Sequence, residues 1–328
     1  MKEFLAAMFV CTLVQECVSA QVGIKSWDQQ IMEINALERA GKLATALNAA
    51  MKLESEIERS QSKSSLLPSA LDRVASLEQD LGRYTDAERH YELSVKAWES
   101  IGSTESLGLA KELNNLGTLY SDTSQLSKAE SAIRRSLDLR IQLLGPRDPE
   151  VALSHSNLAT ALVREQAYAA AESEARAAID IWEYSRPQQN HSDLGYSSLA
   201  WIALRSGRPQ AAVKWARLAI ASYHAREGYD RIDLATYNRV LALAQVDAGN
   251  LPEARQSFQT SLSLLNEMDR PTTLRVEVLQ EYAQLLNRIG ERKEAHSLLK
   301  RARTEAHEMK GGNTFQSLVD IKAFRGDR

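Results

Sequence analysis

The sequence contains only two cysteines, Cys11 and Cys17, and both lie in its first twenty residues. From Gln21 onward there is no thiol, so the rest of the chain can form no disulfide, no thiolate metal site and no cysteine nucleophile. Breakers are scarce as well, with 15 Gly and 7 Pro in 328 residues, and aromatics make up 6%. Ala, Leu, Glu, Arg and Ser dominate instead. Most of these are good helix formers, so the expectation is an all-α chain. The net charge is −3, well short of the strongly basic balance of nucleic-acid-binding surfaces, so no nucleic-acid partner is expected. After residue 20 no apolar run is long enough to cross a membrane. Apolar residues at 44% and charged residues at 25% fit a folded soluble chain. At this length one ordinary core is not expected, which leaves two domains or a repeat array.

What the first twenty residues do contain is the layout of a secretory leader. Lys2 opens it, Phe4 to Val14 forms the apolar segment, and Val18-Ser19-Ala20 supplies the small residues a signal peptidase accepts. Cleavage after Ala20 would leave Gln21 as the first mature residue of an exported chain, periplasmic or secreted. Neither cysteine stands in a lipobox, because Val10 precedes Cys11 and Glu16 precedes Cys17. The other readings are an N-terminal helix of the fold or a membrane anchor, and an anchor would want about 20 apolar residues.

No stretch of the remaining sequence supplies a catalytic constellation. The six histidines, His90, His155, His191, His224, His296 and His307, show no H-E-x-x-H or similar metal spacing. There is no Gly-rich phosphate loop and no G-x-S-x-G turn. No catalytic residue, metal or cofactor is therefore expected. The basic run Lys300, Arg301 and Arg303 reads as a solvated face late in a helix, where cations also suit the dipole.

Residues 82–91, GRYTDAERHY, crowd Tyr84, Asp86, Glu88, His90 and Tyr91 together as an active site would. Periodicity decides otherwise. Its central alanine recurs as Ala46, Ala87, Ala129, Ala171, Ala212, Ala254 and Ala295, at intervals of 41 or 42 residues. Five residues earlier stand Gly41, Gly82, Ser124, Gln166, Gly207, Gly249 and Gly290. Twelve residues earlier stand Ile34, Ala75, Gly117, Ala159, Ala200, Ala242 and Ala283. Seven residues after the alanine come Ser94, Ser136, Ala178, Ala219, Ser261 and Ala302. Apolar and small residues recur three or four apart on both sides of the glycine position, as two helical faces require. Each unit is therefore a helix, a turn that needs a left-handed residue, and a second helix. In this reading Tyr84 and Tyr91 pack the helix pair, while Asp86, Glu88 and His90 form its wet side.

The pattern resembles the tetratricopeptide repeat, carried here by NNLGTLY (114–120) and SNLATAL (156–162) in helix A. Helix B carries it as YTDAERHYELS (84–94) and LPEARQSFQTS (251–261). The usual unit is about 34 residues. The extra residues fall after helix B, as in LRIQLLGPRDPEVA (139–152), and this longer form is similar to kinesin-light-chain-like repeats, whose L-G-x-x-x-P connector matches at Leu144, Gly145 and Pro149. The resemblance implies an α-α superhelix of about seven helix-turn-helix repeats, near 27–62, 66–106, 107–149, 150–190, 191–231, 232–272 and 273–312. These lie in an array over 21–313 between the leader, 1–20, and a tail, 314–328. The first unit diverges, with Glu33 and Leu53 where leucine and a small residue are expected, as suits a cap. The apolar residues of the tail, Phe315, Leu318, Val319, Ile321 and Phe324, are expected to cover the end of the last pair.

Eleven residues after the register alanine stand Trp98, Arg140, Trp182, Tyr223 and Leu265, a packing position toward the neighbouring repeat. Trp201 differs, because it lies on helix A and turns toward the inner side. Such an array implies a concave groove lined by A helices that holds an extended or helical peptide of a protein partner. The groove candidates are Asn114, Asn115, Thr118, Ser156, Asn157, Thr160, Ser197, Ser198, Trp201, Arg205 and Arg239. Asn115 and Asn157 are equivalent, and kinesin-light-chain-like repeats commonly carry a groove asparagine at this place. The expected function is a non-enzymatic scaffold. The alternatives are self-assembly through the outer face or the array ends and, less favoured, an enzyme built on the repeats.

Overall fold

The computed structural model describes residues 26–60, 65–102, 106–185, 190–225, 231–268 and 271–310; the expected leader and tail lie outside them. The described residues form α-helices joined by turns. Two compact units emerge from the packing, Met1–Ala97 and Trp98–Arg328. The first contains α1 (Trp27–Arg39), α2 (Leu43–Arg59), α3 (Leu66–Asp80) and most of α4 (Tyr84–Ser100). The second contains α5 (Leu107–Asp122), α6 (Leu126–Leu144), α7 (Pro149–Arg164), α8 (Tyr168–Glu183), α9 (Ser192–Arg205) and α10 (Pro209–Ala225). It continues with α11 (Arg231–Asp247), α12 (Leu251–Asn266), α13 (Thr273–Arg288) and α14 (Arg292–Lys310). Odd-numbered helices are the A helices of the units and even-numbered ones the B helices.

One turn is used seven times. The residue five before the register alanine takes positive φ in every unit: Gly41 (66°), Gly82 (73°), Gly207 (71°), Gly249 (84°) and Gly290 (89°), and also Ser124 (62°) and Gln166 (63°). Its N–H bonds three residues back, and the next N–H reaches five back, as in Gly41→Glu38 with Lys42→Leu37 and Ser124→Ser121 with Gln125→Tyr120. This paired pattern satisfies carbonyls that the end of a helix leaves without partners. The same backbone forms whether or not glycine is present.

The small columns mark where helices meet. The register alanines are fully buried. A Cβ on Gly117 would lie 2.5 Å from Cγ1 of Ile133, so α5 and α6 approach too closely there for even a methyl group. Gly195 on α9 likewise faces Ile179 of α8, and Gly108 on α5 faces Trp98. Where the column seven after the alanine holds serine, its hydroxyl donates to a carbonyl 26 residues back: Ser94 to Pro68 (2.9 Å), Ser136 to Ala110 (2.6 Å) and Ser261 to Ala235 (2.7 Å). The column eleven after it is buried at Arg140, Trp182, Tyr223 and Leu265, and Arg140 Nη1 donates to the Glu150 carbonyl and the Ser154 hydroxyl of α7.

His90 departs from the expected wet side. It is 3% exposed, and its Nδ1 lies 2.5 Å from a carboxylate oxygen of Glu78, which is fully buried. The third residue after the register alanine faces helix A, as Ser257 also does when it donates to Gln245 (2.8 Å). Asp86 stays at the surface and pairs with Arg83 (2.7 Å), while Tyr91 is buried.

α14 closes its unit differently from the others. Eight residues after the register alanine, α4, α6, α8, α10 and α12 carry Val95, Leu137, Ile179, Ile220 and Leu262, and α14 carries Arg303. Eleven after, where the others are large, α14 carries Ala306. The face that would receive a further A helix is polar, with His296, Lys300, Arg303 and His307 all exposed.

Candidate functional site

In the second unit successive A helices touch one another, α5 with α7, α7 with α9, α9 with α11 and α11 with α13. The A helices thus form a continuous row, and their caps fix where each begins. The side chains of Ser106, Asp148 and Thr272 accept the N–H of Leu109, Glu150 and Arg275. Local satisfaction of these N–H groups orients the row before any partner is involved.

The sequence-derived candidates divide into three groups on this row. Asn114, Ser156 and Ser197 are buried, 5%, 6% and 8% exposed. Asn157 donates from Nδ2 to Oδ1 of Asn114 at 3.0 Å, so this pair is spent on joining α5 to α7. The bond runs to Asn114 rather than to the equivalent Asn115, which is half-buried. The hydroxyls of Thr118, Thr160 and Ser198 donate to carbonyls four residues back within their own helices and keep lone pairs to accept with. Thr160 and Arg205 are exposed and Trp201 is half-buried.

Arg239 is the hub of the third group. Its Nε and Nη2 each lie 2.7 Å from a carboxylate oxygen of Glu281, and its Nη1 lies 2.7 Å from Glu277. The guanidinium also sits over the Trp201 ring, 5.7 Å from its centroid. One side chain of α11 thus ties α9 to α13. Desolvation opposes the charge of Arg239, but its hydrogen bonds to Glu281 and the charges of Glu281 and Glu277 outweigh it and hold the guanidinium cationic. Burial raises the Glu277 carboxyl above its ordinary value, the charge of Arg239 draws it down, and Glu281 pushes it up again.

Apolar side chains recur at equivalent positions of two A helices near this hub. Trp201 and Leu204 of α9 and Leu243 and Val246 of α11 are half-buried, resting on the core residues beneath them. Sequence reasoning found Trp201 and Arg239 but missed Leu204, Leu243, Val246, Glu277 and Glu281. A signal for the leucines and valine was available, since they stand one and four residues after the small residues Ala200 and Ala242. For the glutamates there was none, because their role depends on an arginine about 40 residues away.

Along the edge of the row charges pair between neighbouring helices. Arg164 holds Asp122 (3.0 Å) and the Ser121 carbonyl (3.1 Å), and the charge of Arg288 acts on Asp247. Deeper in, the Tyr237 hydroxyl donates to Asp193 at 2.9 Å, a buried link from α11 to α9. Among the described residues no group of three or more His, Cys, Asp or Glu is placed to hold a metal ion, and no helix is long and apolar enough to cross a membrane.

The family model described as tetratricopeptide repeat matches residues 66–142 and again 113–184. No curated protein matches the sequence. Among solved structures, a Rap protein complexed with competence and sporulation factor is 15% identical with a TM-score of 0.65, over 92% of this chain and 81% of that one. A tetratricopeptide repeat protein from Parabacteroides merdae is 14% identical with a TM-score of 0.58, over 87% of this chain and 96% of that one. BtubC (BKLC) from P. vanneervenii is 19% identical with a TM-score of 0.55, over 66% of this chain and 87% of that one. Identities this low establish a shared fold, the helical solenoid, and nothing beyond it. The tetratricopeptide repeat model thus matches residues 66–184, and the described residues on either side form helix pairs with the same register and the same turn.

Proposed function

We propose that the chain is a non-enzymatic scaffold that holds a peptide segment of another protein against its row of A helices. The observation that carries this reading is the recurrence of half-buried apolar residues at equivalent positions of α9 (Trp201, Leu204) and α11 (Leu243, Val246), with the polar side chains of Thr160, Ser198 and Arg205 on the same row of A helices. An apolar anchor site with polar groups around it is the usual composition of a peptide groove. A structural neighbour of the same fold was solved in complex with a factor, which is compatible with such a role. Peptides selected from a displayed library on the intact chain provide the test. Trp201→Ala and Thr160→Arg should each lower their binding at least tenfold in variants whose helical circular dichroism shows them still folded. Unaltered binding by both folded variants would remove the groove assignment. For the self-assembly alternative, α14 presents a polar face among the described residues, with His296, Lys300, Arg303 and His307 exposed.

We further propose that the chain acts outside the cytoplasm, on the strength of the leader formed by Lys2, Phe4–Val14 and Val18-Ser19-Ala20. N-terminal sequencing of the mature protein should begin at Gln21, and retention of Met1 in the cytoplasm would refute it.

A further inference from the structure

We infer that the segment held on the A-helix row carries a lysine or arginine whose cationic head docks at Glu277, while a neighbouring apolar side chain of the same segment rests on Trp201. This rests on the peptide-scaffold reading and specifies its partner.

The charge balance at the hub points to a cation. One guanidinium, Arg239, serves two carboxylates, Glu277 and Glu281, which leaves a net charge of −1. The Nε–Nη2 fork of Arg239 is taken by Glu281, and its Nη1 faces Glu277. An incoming carboxylate would meet two like charges there. A cation would find acceptors, because Glu277 receives Arg239 through Oε2 and its side chain is 34% exposed.

The other cations of α13 are committed elsewhere. Arg275 is buried against Glu305 (2.7 Å) and the Leu265 carbonyl (2.9 Å), and the charge of Arg288 is directed at Asp247. Neither cation of α13 beyond the hub therefore offsets the balance of −1. Desolvation pushes the Glu277 carboxyl up, as expected of a carboxylate whose charge is only partly offset by its neighbours. The apolar half of the recognition is independent of this. At the place held by Trp201, the corresponding A-helix positions of other units carry Ser76, Thr118, Thr160, Leu243 and Gln284, so the large ring is peculiar to α9. Its π face already attracts the Arg239 guanidinium, and a second cation nearby gains from the same quadrupole.

Short synthetic peptides with one fixed Leu or Trp anchor, and Lys, Arg, Gln or Glu at successive positions from it, test the inference by binding to the full chain. The Lys and Arg members should bind about tenfold more tightly than their Gln counterparts, and the Glu members more weakly still. Glu277→Gln should erase the preference for a cation, bringing the Lys, Arg and Gln peptides to similar affinity. Glu281→Gln is a second route to the same loss, and Gln284→Glu, one turn further along the helix, should increase the preference. The preference should also shrink at high salt. Equal binding of all four peptide types, or a preference for Glu, with Trp201→Ala still weakening them all, would overturn the cation assignment and leave the scaffold reading standing. No binding of any peptide, or binding indifferent to Trp201→Ala, would overturn both.

Discussion

Ser124 and Gln166 take φ of 62° and 63° at the place where five other units use glycine. For residues with a Cβ this left-handed region costs roughly 1–2 kcal/mol, which the two hydrogen bonds of the turn offset. Ser124→Gly and Gln166→Gly should each raise stability in urea by up to about 1 kcal/mol, part of the relief being returned as entropy in the unfolded chain. A loss of stability in both would mean that these side chains support the turn. The turn could be read from the sequence because glycine recurs, but the two exceptions could be read only from their place in the repeat. His90 was not legible. A polar residue on an amphipathic helix reads as solvent-facing, and its buried partner Glu78 lies on the other helix with no motif to announce it. Breaking such a buried pair by removing one member is typically costly, about 3–5 kcal/mol.

At the scale of the element, the columns of tiny residues translate directly into close helix approach. Gly117→Ala should therefore destabilise by about 1–3 kcal/mol even though alanine is the better helix former, because the new methyl would push Ile133 out of place. Thermal or urea unfolding would register the change, and a neutral result would show that α6 can yield. The serines seven after the register alanine look like alanine substitutes in the sequence, and only the structure reveals their shared bond to the A helix. Contacts between A helices were harder still to foresee. Asn157 meets Asn114, 43 residues away, rather than its 42-residue equivalent, because side chains facing a neighbour across the row are offset by one position. Equal register identifies equivalent residues, and touching residues are a different set.

Over the whole molecule the carboxylates show a common trend with pH. Burial is the largest influence on Glu54, Asp80, Asp122, Asp247 and Glu277, and each is raised above its ordinary value. Such a group holds its proton more tightly folded than unfolded. Between the unfolded and the folded pKa the native chain thus carries the extra proton, and acidification through that window favours folding. Glu172 and Glu291 run the other way, lowered chiefly by hydrogen bonds from arginines, so their contribution is lost only as pH falls below the ordinary carboxylate range. The urea midpoint should be at least as high at pH 5 as at pH 7, with the decline beginning near pH 4. A steady fall from pH 7 would show that paired carboxylates dominate instead.

The polar face of α14 also bears on how such a chain can change over generations. Repeat proteins lengthen when a stretch of gene is copied in tandem, and a new unit is useful only if its first helix finds an apolar shelf. A copy inserted after α14 would meet Arg303 and Ala306 where every earlier junction from α6 onward offers a branched aliphatic residue and, in most cases, a large apolar one. Copying an internal unit meets no such obstacle, since each brings its own shelf. A copied unit is thus accommodated more readily between the earlier helix pairs than directly after α14.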